Sequence, residues 1–174
     1  TIEESCIMLE DWAEADADMV DKNGDGYRMS EHVAHIEGFN QEVNRMGFYG
    51  NSNVNPLEEF MGLAPRYNTT SDELEDYVIK GGGSGSNNTS IWLVGWGEST
   101  VHGIYPKGSM AGLDHKDLGR RVKTYTDGGV ERNLEVVDDK YAWDLGLVVR
   151  DYRFIVRICN IDVNALNADP TSGG

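Results

Sequence analysis

The chain has 174 residues, of which 39% are apolar, enough to bury one core with an extension but not two full domains. Its 30 acidic residues outnumber 15 basic ones, and residues 1–80 carry 18 of the acids and 5 of the bases. So acidic a first half repels phosphate backbones, and with no basic stripe interleaved with aromatics, sequence-specific nucleic-acid binding is excluded. No run approaches the length of a membrane span and no basic-then-apolar leader opens the sequence, so a soluble, unsecreted protein without membrane contact is expected.

The opening stretch alternates, with Ala13, Ala15, Ala17 and Met19 set against Glu14, Asp16 and Asp18. Period two predicts an extended strand whose charged side faces water or a neighbouring chain. DKNGDGYRMSEH follows, in which Asp21, Asn23, Asp25 and Gly26 match positions 1, 3, 5 and 6 of a calcium-binding loop. The twelfth position, which needs a bidentate carboxylate, is His32. A plain turn between strand and helix therefore outweighs a calcium site on Asp21, Asn23 and Asp25, and no metal or cofactor is expected.

From Ser30 to Gly47 the spacing of Val33, Ile36, Phe39, Val43 and Met46 predicts the one long helix, N-capped by Ser30, with Glu37, Asn40, Gln41, Glu42 and Arg45 on its wet side. Gly38 inside it costs about 1 kcal/mol against Ala, which close approach of another backbone would explain. An irregular connection with aromatic anchors comes next. Thr70 to Glu73 reads as a capping box for a short helix ending at Gly81, and residues 81–88 have the composition of a loop tip.

The remainder reads as β. TSIWLVGW is apolar on both faces, with VHGIYP as its hairpin partner, and residues 106–121 form a long polar loop. VKTYT and VERNLEVV flank Asp127-Gly128-Gly129 as a second hairpin. Tyr141, Trp143, Leu145, Leu147 and Val149 share one parity, whereas Tyr152, Phe154, Val156 and Ile158 share the other, which demands a bulge or turn at Arg150 and Asp151. Cys6 and Cys159, far apart in apolar settings, read as reduced structural thiols.

The residues supply no catalytic centre. His32 and His35 lie three apart beside Glu31, but an incomplete two-histidine set favours packing over metal. There is no GxSxG elbow, and the glycines at 81–85 lack the Lys-Ser/Thr ending of a phosphate loop. On residues alone an enzyme is not expected.

Three long blocks carry a resemblance over about residues 5–166: FYGNSNVNPLEEFMGLAPRYN after the long helix, GGGSGSNNTSIWLVGWGESTVHGIYPKGSMAGLDHKDLG, and YAWDLGLVVRDYRFIVRICNID. They resemble the major capsid proteins of tailed phages, in the branch of epsilon-fifteen-like short-tailed phages. The resemblance implies an α+β fold of the Hong Kong 97 type, a long spine helix on antiparallel sheet with an extended E-loop strand. Residues 1–29 would be the returning E-loop strand and turn, and 30–174 the peripheral-domain spine helix, short helix and β-layer with part of the axial region. The family's N-terminal arm, outgoing E-loop half and further axial helices are absent from this sequence. The implied role is a shell subunit whose partners are its own copies in hexamers and pentamers, with portal or decoration proteins, in a virion assembled in the host bacterial cytoplasm. Expected subunit contacts are Trp12, Asp16, Asp18, Tyr49, Arg66 and Lys107, and no Lys to Asn crosslink is expected.

Overall fold

The computed structural model describes residues 3–68 and 74–166. Its central element is strand β6 (Val130–Val149), twenty residues long. The edge strand β1 (Ile7–Asp16) runs antiparallel to it from Ile7↔Leu145 to Asp16↔Val136. On β6's other edge lies β5 (Leu113–Asp127), from Leu113↔Trp143 to Asp127↔Val130, and β4 (Val101–Ile104) pairs with Gly146–Val149. As expected, the β5–β6 turn is the pair Gly128 and Gly129, with φ of 59° and 82°. Two successive left-handed residues make a turn whose twist suits the flanking strands.

A second, three-stranded sheet has the order β2 (Val78–Lys80), β7 (Ile155–Asp162), β3 (Asn88–Val94). The expected pairing of β3 with VHGIYP is therefore wrong: β3 pairs with β7, and β4 joins β6. The chain does reverse between them, and Thr100 Oγ1 donates to Gly95 O at 2.6 Å. Its carbonyl, however, accepts from Arg150 N at 2.7 Å, which steers the next strand onto the larger sheet. Nor is β3 covered on both sides, because Ile91 and Leu93 are exposed.

Residues 106–121 are not all loop, since β5 begins at Leu113. After Leu113, its His115, Asp117 and Arg120 pair with Asp139, Arg28 and Asp21 of other elements, so hydrophobic alternation carries no signal there. A bulge between Asp117 and Gly119 then switches which side chains share a face. The expected break at Arg150 and Asp151 is a turn continuing into a 3₁₀ turn at Tyr152–Phe154. That turn resets the parity, so β7 buries Ile155 and Cys159 and not the even-numbered set. Both cysteines are free thiols.

The strand expected through Met19 stops at Asp16. The Asp16 carboxylate accepts from Asp18 N at 2.8 Å and Met19 N at 3.2 Å, capping helix α1 (Ala17–Asn23). Gly24, at φ 74°, breaks the helix in place of the expected turn over 21–26. Helix α2 (Asp25–Tyr49) then starts before Ser30, whose hydroxyl donates back to Tyr27 O at 2.7 Å and caps nothing. The stripe is right at Phe39 and Met46 and wrong at Val33, which is exposed, while His32 is buried. Nothing among the described residues lies within 4 Å of a Cβ built on Gly38, so no described backbone accounts for that glycine.

Beyond α2 the chain turns back on the helix end. Gly62 N donates to Gly50 O at 2.9 Å, and a Cβ on Gly62 would stand 2.5 Å from Met46 O. Helix α3 (Leu63–Arg66) follows. Met46, Phe60, Leu63, Tyr67, Val101 and Ile155 form the centre of the main core, between the two sheets and the helix end. Burial pushes the Tyr67 phenol up to about 12, and its hydroxyl donates to Tyr152 O at 3.0 Å. Of the expected short helix, Thr70 to Glu73 lies outside the described residues; Glu75–Tyr77 form a 3₁₀ turn and Val78–Lys80 are strand β2. The described residues form a short final helix, α4 (Val163–Leu166), and contain no helix long and apolar enough to cross a membrane.

Candidate functional site

The calcium-like motif does not form a loop. Asp21 and Asn23 are helical in α1 and Asp25 opens α2. Arg120 of β5 holds the Asp21 carboxylate at 2.5 and 3.1 Å, and its hydrogen bond is the main cause that lowers the pKa of that acid. Asn23 Nδ2 donates to Met19 O at 3.0 Å. Asp21 and Asn23 thus have separate partners, and the motif lies in two helices and not in an ion-binding loop.

The group that does converge combines residues more than eighty positions apart. On α2, Arg28 and His32 are one turn apart and face the sheet; His115 comes from β5 and Asp139 from β6. Asp139 is fully buried, yet it accepts from Arg28 Nε at 2.8 Å and Nη2 at 2.6 Å, a bidentate pair. His32 Nε2 stands 2.8 Å from its Oδ2 and His115 Nε2 2.7 Å from its Oδ1. Tyr141 OH lies 2.9 Å from His32 Nδ1, and its ring stacks on His115. Arg28 also reaches Asp117 at 2.8 Å. Burial pushes the Asp139 carboxyl up, but the hydrogen bonds from Arg28 and His115 and the charges around it outweigh this and hold it below the usual carboxylate range.

His32, His115 and Asp139 have ligand atoms within 4.8 Å of one another, so metal binding is the first chemistry to weigh. It fits poorly. Arg28 already takes one site on each carboxylate oxygen, the histidines flank opposite oxygens, and a dication would sit against a guanidinium. The arrangement is a charge-compensated tether that fastens the first half of α2 to the sheet. His35 belongs to a separate contact, 2.5 Å from Asp11 of β1, so the His32, His35 and Glu31 grouping does not form. Sequence reasoning missed Asp139 and its neighbour Asp138, both buried. The available signal was an Asp pair inside the apolar run VVDDKYAW.

The six expected contact residues have different surroundings. Trp12 is half-exposed on the sheet face opposite α2, with the Lys140 ammonium 5.8 Å from its ring centre. Asp18, Tyr49 and Lys107 are exposed. Asp16 is engaged as the cap of α1, and Arg66 is held by both Glu4 oxygens at 2.7 and 2.6 Å and by Met61 O at 3.0 Å. Those last two are internal contacts first.

Comparison with known proteins agrees with this architecture. The family model described as major capsid protein GP7 matches residues 1–173. A structure of bacteriophage Epsilon15 is similar at 38% identity and a TM-score of 0.64, over 99% of this chain. The chain spans 52% of that phage chain, about half its length. The SrpI encapsulin of Synechococcus elongatus PCC 7942 shares the fold at 9% identity and a TM-score of 0.53, over 92% of this chain and 75% of its own. No curated protein sequence matches. With a family model along nearly its whole length and the long helix on antiparallel sheet of the phage shell protein, the chain belongs to the major capsid protein GP7 family.

Proposed function

We propose that this chain is a part of the structural subunit of a tailed-phage head, which packs copies of itself in hexamers and pentamers into an icosahedral shell around double-stranded DNA. The family match over residues 1–173 is the observation that carries this reading. The surface is in keeping with it: Met8, Trp12, Tyr49, Leu57 and Tyr105 are exposed on an acidic chain, distributed over several elements and not gathered at one cleft. Shell subunits bury such residues against copies through heterologous contacts that close by symmetry, and they need no poised acid or nucleophile. On this reading β1 is the returning strand of the extended loop, the role is structural, and the protein resides in the virion with portal or decoration proteins as further neighbours. Electron microscopy of concentrated protein tests the proposal. Particles or rings with local sixfold and fivefold repeats are expected; a protein that stays monomeric at every concentration and salt overturns it.

A further inference from the structure

The β5–β6 hairpin outruns the rest of the sheet. β1 stops pairing at Val136, so Val122–Asp127 and Val130–Glu135 form a two-stranded ribbon with no third strand among the described residues. At about 3.3 Å per residue the ribbon projects roughly 20 Å. Two-stranded ribbons are marginal alone in water, yet this one exposes Val122, Tyr125 and Val130. Directly opposed residues share a face, so Lys123, Tyr125, Asp127, Val130, Arg132 and Leu134 lie together on the side that continues the sheet face opposite α2. This face joins three apolar residues to two cations and one acid, Asp127, on a strongly acidic chain. Lys123 is tied back to Glu14, whereas Arg132, 56% exposed, meets only Asp127 among the described residues, at 3.4 Å.

The complementary surface is on α2. Its outward side exposes Met29 and Val33, one turn apart, followed by Glu37, with exposed Asp18 and Asp25 around the start of the helix. Val33 and Met29 break the polar pattern of a wet helix face, and nothing among the described residues covers them. The stretch from Asp25 to Glu37 is about 18 Å long at 1.5 Å per residue, a match for the ribbon. A chain cannot satisfy its own α2 this way, because Arg120 anchors the ribbon's root to Asp21 of α1 and the ribbon continues past that point.

Resting on the shell-subunit reading, we propose that the β5–β6 ribbon of one copy docks on the outward face of α2 in a second copy, with Tyr125 and Val130 against Met29 and Val33 and Arg132 beside Glu37. The contact is heterologous, so each copy offers a ribbon and a helix face and the contacts run head to tail around a ring. Its area, on the order of 300 Å² a side, is well below the ~800 Å² of a stable pair, so single contacts are weak and ring closure makes them persist.

The test places a photo-crosslinking residue at Tyr125 in protein assembled from a mixture of isotopically light and heavy copies. Mixed-isotope crosslinks from position 125 to residues 25–37 are expected. Arg132→Glu should cut their yield about tenfold, as should Glu37→Arg, and the double variant should restore it. Both residues are exposed, and unchanged melting of each variant confirms that it folds. Particles that form with crosslinks to other segments, or with yields indifferent to both charge changes, overturn the docking and leave the shell reading standing. Absence of any oligomer overturns both.

Discussion

Asp139→Ala removes the one carboxylate shared by Arg28, His32 and His115. Breaking a buried ion pair by removing one partner costs about 3–5 kcal/mol, because the other charge stays buried. Here the remainder is relieved in part: Arg28 keeps Asp117 at 2.8 Å and its side chain is 18% exposed. The cost therefore belongs at the low end, about 3 kcal/mol, or roughly 6–12 °C in Tm for a domain of this size. Because the Asp139 pKa is depressed on folding, its stabilisation is complete above the unfolded carboxylate value of about 3.9 and is lost as pH falls through the lower folded value. Urea unfolding followed by circular dichroism should show a gap between parent and variant that is flat from about pH 7 to 5 and narrows below about pH 4. A loss of under about 2 °C at neutral pH, or a gap that widens in acid, would refute the tether.

Two glycines of α2 and its flank should respond in opposite directions. Gly62→Ala puts a methyl 2.5 Å from Met46 O, a backbone atom that cannot swing aside, and should cost about 2–3 kcal/mol in urea midpoint shift. Gly38→Ala meets nothing within 4 Å and should stabilise the isolated chain by about 1 kcal/mol. Millimolar calcium, compared with chelator, should leave the melting curve unchanged, because Asp21 is committed to Arg120 and Asn23 to its own helix; a rise in Tm of several degrees would show that the three ligands can converge after all.

The legible parts of this fold are those where polarity and geometry agree. Alternation placed Ala13, Ala15 and Ala17 inward, the Asp-Gly-Gly triplet placed the β5–β6 turn, and the long helix was visible from Phe39 to Met46. The illegible parts are those where buried positions are charged. The first half of α2 meets the sheet through Arg28, His32 and His35, so a hydrophobic stripe read from residue 30 chose Val33, which is in water, and started the helix late. The first half of β5, up to Arg121, was hidden for the same cause, its His115, Asp117 and Arg120 looking like loop residues until their partners are known, whereas the second half was read as a hairpin strand. The β3 and β4 error has another origin. Two adjacent strands separated by a turn form a hairpin by default, and only the hydrogen bonds from Arg150 and Asp151 to Thr100 O, fifty residues along the chain, divert the second one.

The helix is thus held by two different kinds of force along one length. Phe39, Val43 and Met46 dock its C-terminal half by apolar burial, which is non-directional and tolerates small sliding. Arg28 docks its N-terminal half by a bidentate hydrogen-bonded ion pair, with His32 and His35 close to carboxylates at 2.8 and 2.5 Å, contacts that are directional and weaken when a carboxylate is protonated. The directional half is also the half whose outward side carries Met29 and Val33, the proposed seat for a neighbouring copy. A rigid seat matters there, since a weak head-to-tail contact closes a ring only if its angle is the same in every copy. Asp139→Ala should therefore disturb assembly more than its effect on melting alone would suggest, by loosening the helix beneath the contact and not by removing any part of it.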